Sequence, residues 1–221
     1  MSLVRVLGKG RTEIMDDAEL AARRAAAGRA AVDLGTGDAH YAYRLAVAHP
    51  QWLVIALDAL DEPMADVARK AARKPAKGGV TNLVLLRASA EALPSALEGI
   101  GDEVTVLLPW GKLLEGIVLA HDDVLRGVAS LLRPSGRLTV TLNGEIWVES
   151  MPARYGHLPV PTPEHVAEIV APGFARAGVE IGPACYLTAE DAHSLPTTWA
   201  RKLAHGRAHP RFVRFDGQKR V

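Results

Sequence analysis

Val32-Asp33-Leu34-Gly35-Thr36-Gly37-Asp38-Ala39 is the stretch of this chain whose residue types and spacing best suit chemistry. Two glycines carry no Cβ, so a backbone there can approach a ligand closely. Asp33, just ahead of them, suits the ammonium of an amino-acid moiety. A second acid, Asp58, ends the apolar run Leu53-Val54-Ile55-Ala56-Leu57. An acid about 20 residues past a glycine turn is placed to bind both hydroxyls of a ribose. Glycine turns of this kind also occur in nicotinamide-binding folds and in plain tight turns. The glycines alone therefore leave the ligand open, and the second acid sharpens it.

Two further kinds of residue stand out. Arg69, Lys70, Arg73, Lys74 and Lys77 crowd into one short stretch. Read as one helix, they place Arg69 with Arg73 and Lys70 with Lys74 on adjacent ridges. A solvated helix face is the plain explanation. The acids Asp61, Glu62 and Asp66 lie a turn or more away and are too few to pair the cluster, so a polyanion partner is favoured. Near the C-terminus, Arg201, Lys202, Arg207, Arg211, Arg214, Lys219 and Arg220 stand against the single acid Asp216, a second place suited to phosphates. Only 5% of the chain is aromatic, which makes a loop tryptophan conspicuous. Trp110 follows Pro109 at a strand end, and Trp199 lies within Pro196-Thr197-Thr198-Trp199. Each could pin its own loop to the core, the explanation preferred for Trp52 and Trp147. Facing each other, Trp110 and Trp199 would sandwich an extruded base and replace the stacking it loses.

The elements that must carry these residues alternate. Val4–Leu7 and Arg11–Ile14 flank Gly8-Lys9-Gly10 as a hairpin, and a helix capped by Asp16 or Asp17 runs to about Ala27. Strands are expected at 30–34, 53–57, 83–87, 104–108 and 137–142. Helices are expected at 39–48, 62–74 and 122–132. Such alternation argues for a doubly wound, mostly parallel sheet, whose ligands bind beyond the carboxyl ends of the strands. Asp33, Asp58, Ala88 to Glu91 and Pro109-Trp110 all fall at those ends. Residues 143–161 read as a linker. A helix at 162–177, a strand at 179–185, an irregular insert at 186–209 and a last strand from Arg211 to Phe215 complete the chain. The expected architecture is a Rossmann-like α/β fold of seven strands in one domain, 1–221, with the hairpin as an extension.

At 221 residues, with 48% hydrophobic and 23% charged residues, the chain can bury a core of ordinary size. No apolar run approaches membrane-spanning length, and the N-terminus lacks a signal-peptide core. The lone Cys185, expected on a buried strand, forms no internal disulfide and suits a reducing cytoplasm. No Cys/His cluster has metal-ligand spacing, so no metal is expected. A monomer is the default state.

The pattern D-x-G-x-G-x-A at Asp33–Ala39 resembles the first motif of S-adenosylmethionine (SAM) methyltransferases, with Ala39 in place of the usual third glycine. With Ala56-Leu57-Asp58-Ala59, Lys74-Pro75-Ala76-Lys77-Gly78-Gly79, Pro109-Trp110-Gly111 and Thr198-Trp199-Ala200-Arg201 in that order, the chain resembles the kanamycin–apramycin-resistance family of 16S rRNA (adenine(1408)-N(1))-methyltransferases over nearly its whole length. The resemblance implies methylation of a flipped adenine in the decoding site of the assembled 30S subunit, and aminoglycoside resistance. It implies SAM held by Asp33, Gly35, Gly37, Asp58, Ala59 and Leu107, with Ala88 and Glu91 near its adenine. It implies a target base clamped by Trp110 and Trp199, with Pro109 and Thr197 close by. RNA contacts would come from Arg69, Lys70, Arg73, Lys74, Lys77, Glu145, Arg201 and Arg207.

The chemistry is consistent with this. Adenine N1 is unprotonated at neutral pH and keeps its lone pair in the ring plane, so no general base is needed and catalysis is mostly positioning. The chain has no Asn/Asp-Pro-Pro-Tyr/Phe motif for an exocyclic amine and no cysteine placed for carbon methylation. A tRNA adenine or a small molecule as methyl acceptor, and a non-catalytic RNA-binding relic, are the competing readings. Two basic patches weigh against a small-molecule acceptor, and intact Asp33 and Asp58 weigh against a relic.

Overall fold

The structure, a computed structural model, describes residues 2–144, 156–195 and 211–221. It opens with strands β1 (Leu3–Gly8) and β2 (Arg11–Met15) and helix α1 (Asp17–Ala26), which Asp16 caps through the Ala18 amide. The alternating part follows: β3 (Arg29–Leu34), α2 (His40–Ala48), β4 (Trp52–Asp58), α3 (Ala65–Ala71), β5 (Leu83–Arg87) and β6 (Gly101–Leu107). Next come α4 (Gly111–Val118), α5 (Asp122–Leu131) and β7 (Leu132–Asn143). After residue 156 lie α6 (163–176), β8 (Val179–Ile181), β9 (Cys185–Tyr186), α7 (Ala189–Ser194) and β10 (Phe212–Lys219).

The strands form one sheet in the order β2-β1-β5-β4-β3-β6-β7-β10-β8, with β9 also on β10. Strands β5, β4, β3, β6 and β7 are parallel. The hairpin joins one edge and β10 the other, both antiparallel. Among the described residues the sheet therefore has ten strands, not seven. The hairpin continues the sheet rather than standing apart, and the strand expected at 179–185 is two short ones. Gly182 and Pro183 separate them, and Pro183 has no N–H to give a ladder.

Alternation along the inner strands feeds both faces. Leu53, Ile55 and Leu57 of β4 join one core with α1, α4, α5 and α6, while Val54 and Ala56 join the other with α2 and α3. This burial holds β3 to β6 rigid, so their carboxyl ends form a fixed edge. A small third cluster of Leu108, Ala192 and Phe212 ties the end of β6 to α7 and β10.

Four other expectations are corrected. Helix α3 stops at Ala71 rather than 74, because Lys74 precedes Pro75 and takes an extended conformation. Arg73 and Lys74 therefore do not share helical ridges with Arg69 and Lys70. Helix α4 falls where the sequence predicts only the Pro109-Trp110-Gly111 turn, and α7 lies in the insert expected to be irregular. Cys185 is on a strand but exposed, not buried.

Candidate active site

The carboxyl ends of β3, β4, β5 and β6 surround a cavity of about 820 Å³. Its wall carries Asp33, Gly35, Gly37, Asp58, Ala59, Ala88, Glu91 and Leu107 together with Trp110. These residues come from four separate strand ends and meet because parallel strands deliver their C-termini to one edge.

The glycine turn folds over the end of β4, where the Gly35 and Thr36 amides donate to the Leu57 carbonyl at 2.8 and 3.0 Å. Gly35 and Gly37 have φ of +73° and +57°, a region side chains resist. A Cβ on Gly35 would press the Leu113 side chain at 2.7 Å. Ala39, in the place of the usual third glycine, also has positive φ (56°) and is fully buried as it opens α2.

Asp33 is 3% exposed. The Thr36 hydroxyl donates to its Oδ2, and the Thr105 hydroxyl lies 3.5 Å from its Oδ1. Burial pushes its pKa from 3.8 up to about 7; the two hydroxyls oppose the rise, and Asp58 and Asp38 add to it. Among the described residues no cation neutralises it, so Asp33 is a buried acceptor suited to an incoming ammonium. Tyr41 lines the cavity beside it, and burial raises its phenol to about 12.

Asp58 already has one structural task on each oxygen. Its Oδ2 accepts from the Gly37 amide at 2.8 Å, and its Oδ1 from the Leu60 amide at 3.0 Å. A carboxylate has about four acceptor sites, so each oxygen keeps room for one hydroxyl. Asp58 thus fixes the glycine turn and still faces the cavity. The Ala88 amide donates to the Asp58 backbone carbonyl at 2.9 Å, which ties the 88–91 loop to the same strand end.

At the end of β6, Leu108 has φ of +52° and Pro109 is buried. This left-handed turn directs Trp110 out to the cavity wall, 37% exposed, where it caps α4. Lys112, in the first turn of α4, sits 3.9 Å from Glu91 across the cavity mouth. Among the described residues it is the only cation on a wall that carries Asp33, Asp38, Asp58 and Glu91. Thr105, Tyr41 and Lys112 escape the sequence, and Thr36 lies inside the glycine motif but receives no role there. Helix α4 would have revealed Lys112, whereas nothing local marks Thr105.

The basic cluster is partly engaged. Arg69 pairs with Asp66 one turn away, and the Lys70 ammonium sits 4.0 Å from the Tyr43 ring centre. Arg73, Lys74 and Lys77 are exposed around the turn that follows α3. At the C-terminus, Arg214 pairs with Asp216 at 3.1 Å and Lys219 donates to the Ala129 carbonyl. Glu145, Thr197, Trp199, Arg201 and Arg207 lie outside the described residues.

A family model for 16S rRNA (adenine(1408)-N(1))-methyltransferases, named NpmA, matches residues 4–215. A 16S rRNA (adenine(1408)-N(1))-methyltransferase of Streptoalloteichus tenebrarius is 42% identical over 203 residues, covering 92% of this chain and 93% of the relative. The crystal structure of a tryptophan-to-alanine mutant of such an enzyme with cosubstrate SAM, from Catenulisporales acidiphilia, superposes with a TM-score of 0.90 at 38% identity, covering 100% of this chain and 98% of that one. The structure of the 16S rRNA methyltransferase KamB gives a TM-score of 0.88 at 39% identity, covering 99% and 100%.

Proposed function

The chain belongs to the 16S rRNA (adenine(1408)-N(1))-methyltransferases, and from that premise we propose how its residues divide the work. It is a SAM-dependent enzyme that methylates N1 of adenine 1408 in 16S rRNA and thereby confers aminoglycoside resistance. The tRNA, small-molecule and non-catalytic readings give way to that reaction. The observation that carries the assignment of residues is the cavity, where a buried unneutralised carboxylate, a hydroxyl-binding carboxylate and a glycine turn meet beside a tryptophan.

The cavity fits SAM. Asp33 takes the ammonium of the amino-acid end, and Asp58 the ribose hydroxyls. Gly35 and Gly37 let the backbone close on the molecule, and Ala59, Ala88, Glu91 and Leu107 border the nucleoside. When bound, SAM supplies an electrophilic methyl group on a positively charged sulfur. Adenine N1 supplies its own electron pair, so no side chain has to remove a proton. The positive charge that leaves sulfur arrives on the adenine ring. What the protein contributes is alignment of the ring and exclusion of water. Trp110 offers a face for the extruded base, with Trp199 as the opposing face and Pro109 and Thr197 beside them. An indole face also suits the cationic product ring. The substrate is the assembled 30S subunit, gripped through the cations that follow α3 and those near the C-terminus, Arg201 and Arg207 among them. Glu145 belongs to the same docking surface.

The test is Trp110→Ala. SAM binding by calorimetry should stay within a few-fold, while transfer to 30S subunits falls on the order of 100-fold, the cost of a misplaced reacting group. Normal transfer by this variant would remove the clamp.

A further inference from the structure

The turn between β1 and β2 is built at odds with its residue types. Gly8, Lys9 and Gly10 all have positive φ, at 86°, 56° and 69°. Glycine does this freely, whereas a lysine held there is strained. Asparagine or glycine would relieve the turn, so folding alone does not call for a lysine at its tip.

The tip is also fixed in place. A Cβ on Gly8 would lie 2.6 Å from the Ala65 carbonyl and 2.7 Å from the Arg69 side chain. The hairpin thus rests directly on α3. It is held on its other side by β5, where Val4 pairs with Arg87 and Arg5 with Leu86. Because β1 runs antiparallel to β5, its tip points toward the start of β5, the same end at which α3 delivers Arg73, Lys74 and Lys77.

Charge on the hairpin is sorted. Arg5 is neutralised by Glu13 at 2.9 Å and by Glu19. Lys9 and Arg11 are exposed, and among the described residues no carboxylate lies within ion-pair distance of either. Cations gathered at one end of the sheet repel one another, and a polyanion laid across them offsets that repulsion.

We propose that the hairpin tip, through Lys9 and Arg11, is a rigid second finger of the RNA-docking surface and contacts phosphates of the 16S rRNA backbone beside those met by the α3 cations. This rests on the assembled 30S subunit being the substrate. A tip anchored on two sides holds its cations at a set spacing from α3, as two separated phosphates on folded RNA require and a loose tail does not provide. These contacts carry no base specificity; they orient the subunit.

The experiment is 30S binding across a salt series with a Lys9→Gly/Arg11→Gln double variant. Glycine suits the turn better than lysine, so lost binding would not reflect lost folding. The wild-type slope of log affinity against log salt should drop by about 1.5, near 0.7–0.9 for each phosphate contact. Affinity should fall about tenfold at low salt and converge at high salt. The KM for 30S should rise with kcat unchanged, and SAM binding should not move. A Lys9→Arg/Arg11→Lys variant should keep the wild-type slope. Affinity and slope both at wild-type values in the double variant would overturn the inference. Lost affinity with an unchanged slope would also overturn it, pointing to a ribosomal protein instead of phosphate. If the wild-type enzyme itself fails to methylate 30S subunits, it is the substrate assignment that falls.

Discussion

Lowering the pH from 7.5 to 6 should weaken SAM binding about sixfold. The cause is Asp33, whose carboxyl titrates at about 7 in the unliganded cavity. With the ligand's ammonium on the ionised carboxylate, as proposed, affinity follows the ionised fraction of Asp33, roughly three quarters at pH 7.5 and about a tenth at pH 6, times the protonated fraction of the ligand's amine, roughly three quarters and nearly one. At pH 6, binding should release about 0.9 proton, since most sites start protonated. Calorimetry in two buffers of different ionisation enthalpy reads that release directly. Above pH 8 affinity should fall again as the ligand's own α-amino group, ordinarily near 8, loses its proton. The same burial has a consequence for stability. A carboxyl raised from 3.8 to about 7 leaves the folded state fully favoured below the unfolded value, and that stability is lost as pH rises through 7. The loss is on the order of 4 kcal/mol. Unliganded Asp33→Asn should therefore melt higher than wild type at pH 8 and alike near pH 3.5, while binding SAM about 10- to 100-fold more weakly. Flat affinity between pH 6 and 7.5, or an Asp33→Asn protein less stable at pH 8, would refute the reasoning.

Asp58→Asn replaces an acceptor with an amide whose NH2 must face either the Gly37 or the Leu60 N–H. It should weaken SAM binding by about 2–3 kcal/mol and speed hydrogen exchange at Gly37, which binding calorimetry and amide exchange would show. Neutralising Arg73, Lys74 and Lys77 together should weaken 30S binding most at low salt and reduce the salt slope by about 2–3, with SAM affinity unchanged. Equal loss at all salt concentrations would remove those cations from the phosphate contacts.

The cofactor edge was legible because its signals are local. Apolar runs such as Leu53–Leu57 are buried on both faces, and each ends in a residue that lines the cavity. Helix α4 was not legible, because Pro109-Trp110-Gly111 read only as a turn. Within the helix, Gly116 lets α4 pack closely on α5, where a Cβ would meet Val124 at 2.4 Å. Thr105 belongs to the site only because β6 lies beside β3, a pairing of residues 72 apart. The division of charge was hidden for a related reason. Counting cations between residues 69 and 77 cannot reveal that Arg69 folds back on Asp66 or that Lys70 lies over Tyr43. The strained lysine at the hairpin tip likewise becomes visible only through its backbone angle.

The most direct test of the central claim is methyl transfer from labelled SAM into purified 30S subunits, with naked 16S rRNA and tRNA alongside, followed by primer extension. Label is expected in the assembled subunit alone, with a single stop at adenine 1408. Label in tRNA, equal label in naked 16S rRNA, or a stop at any other base would contradict it.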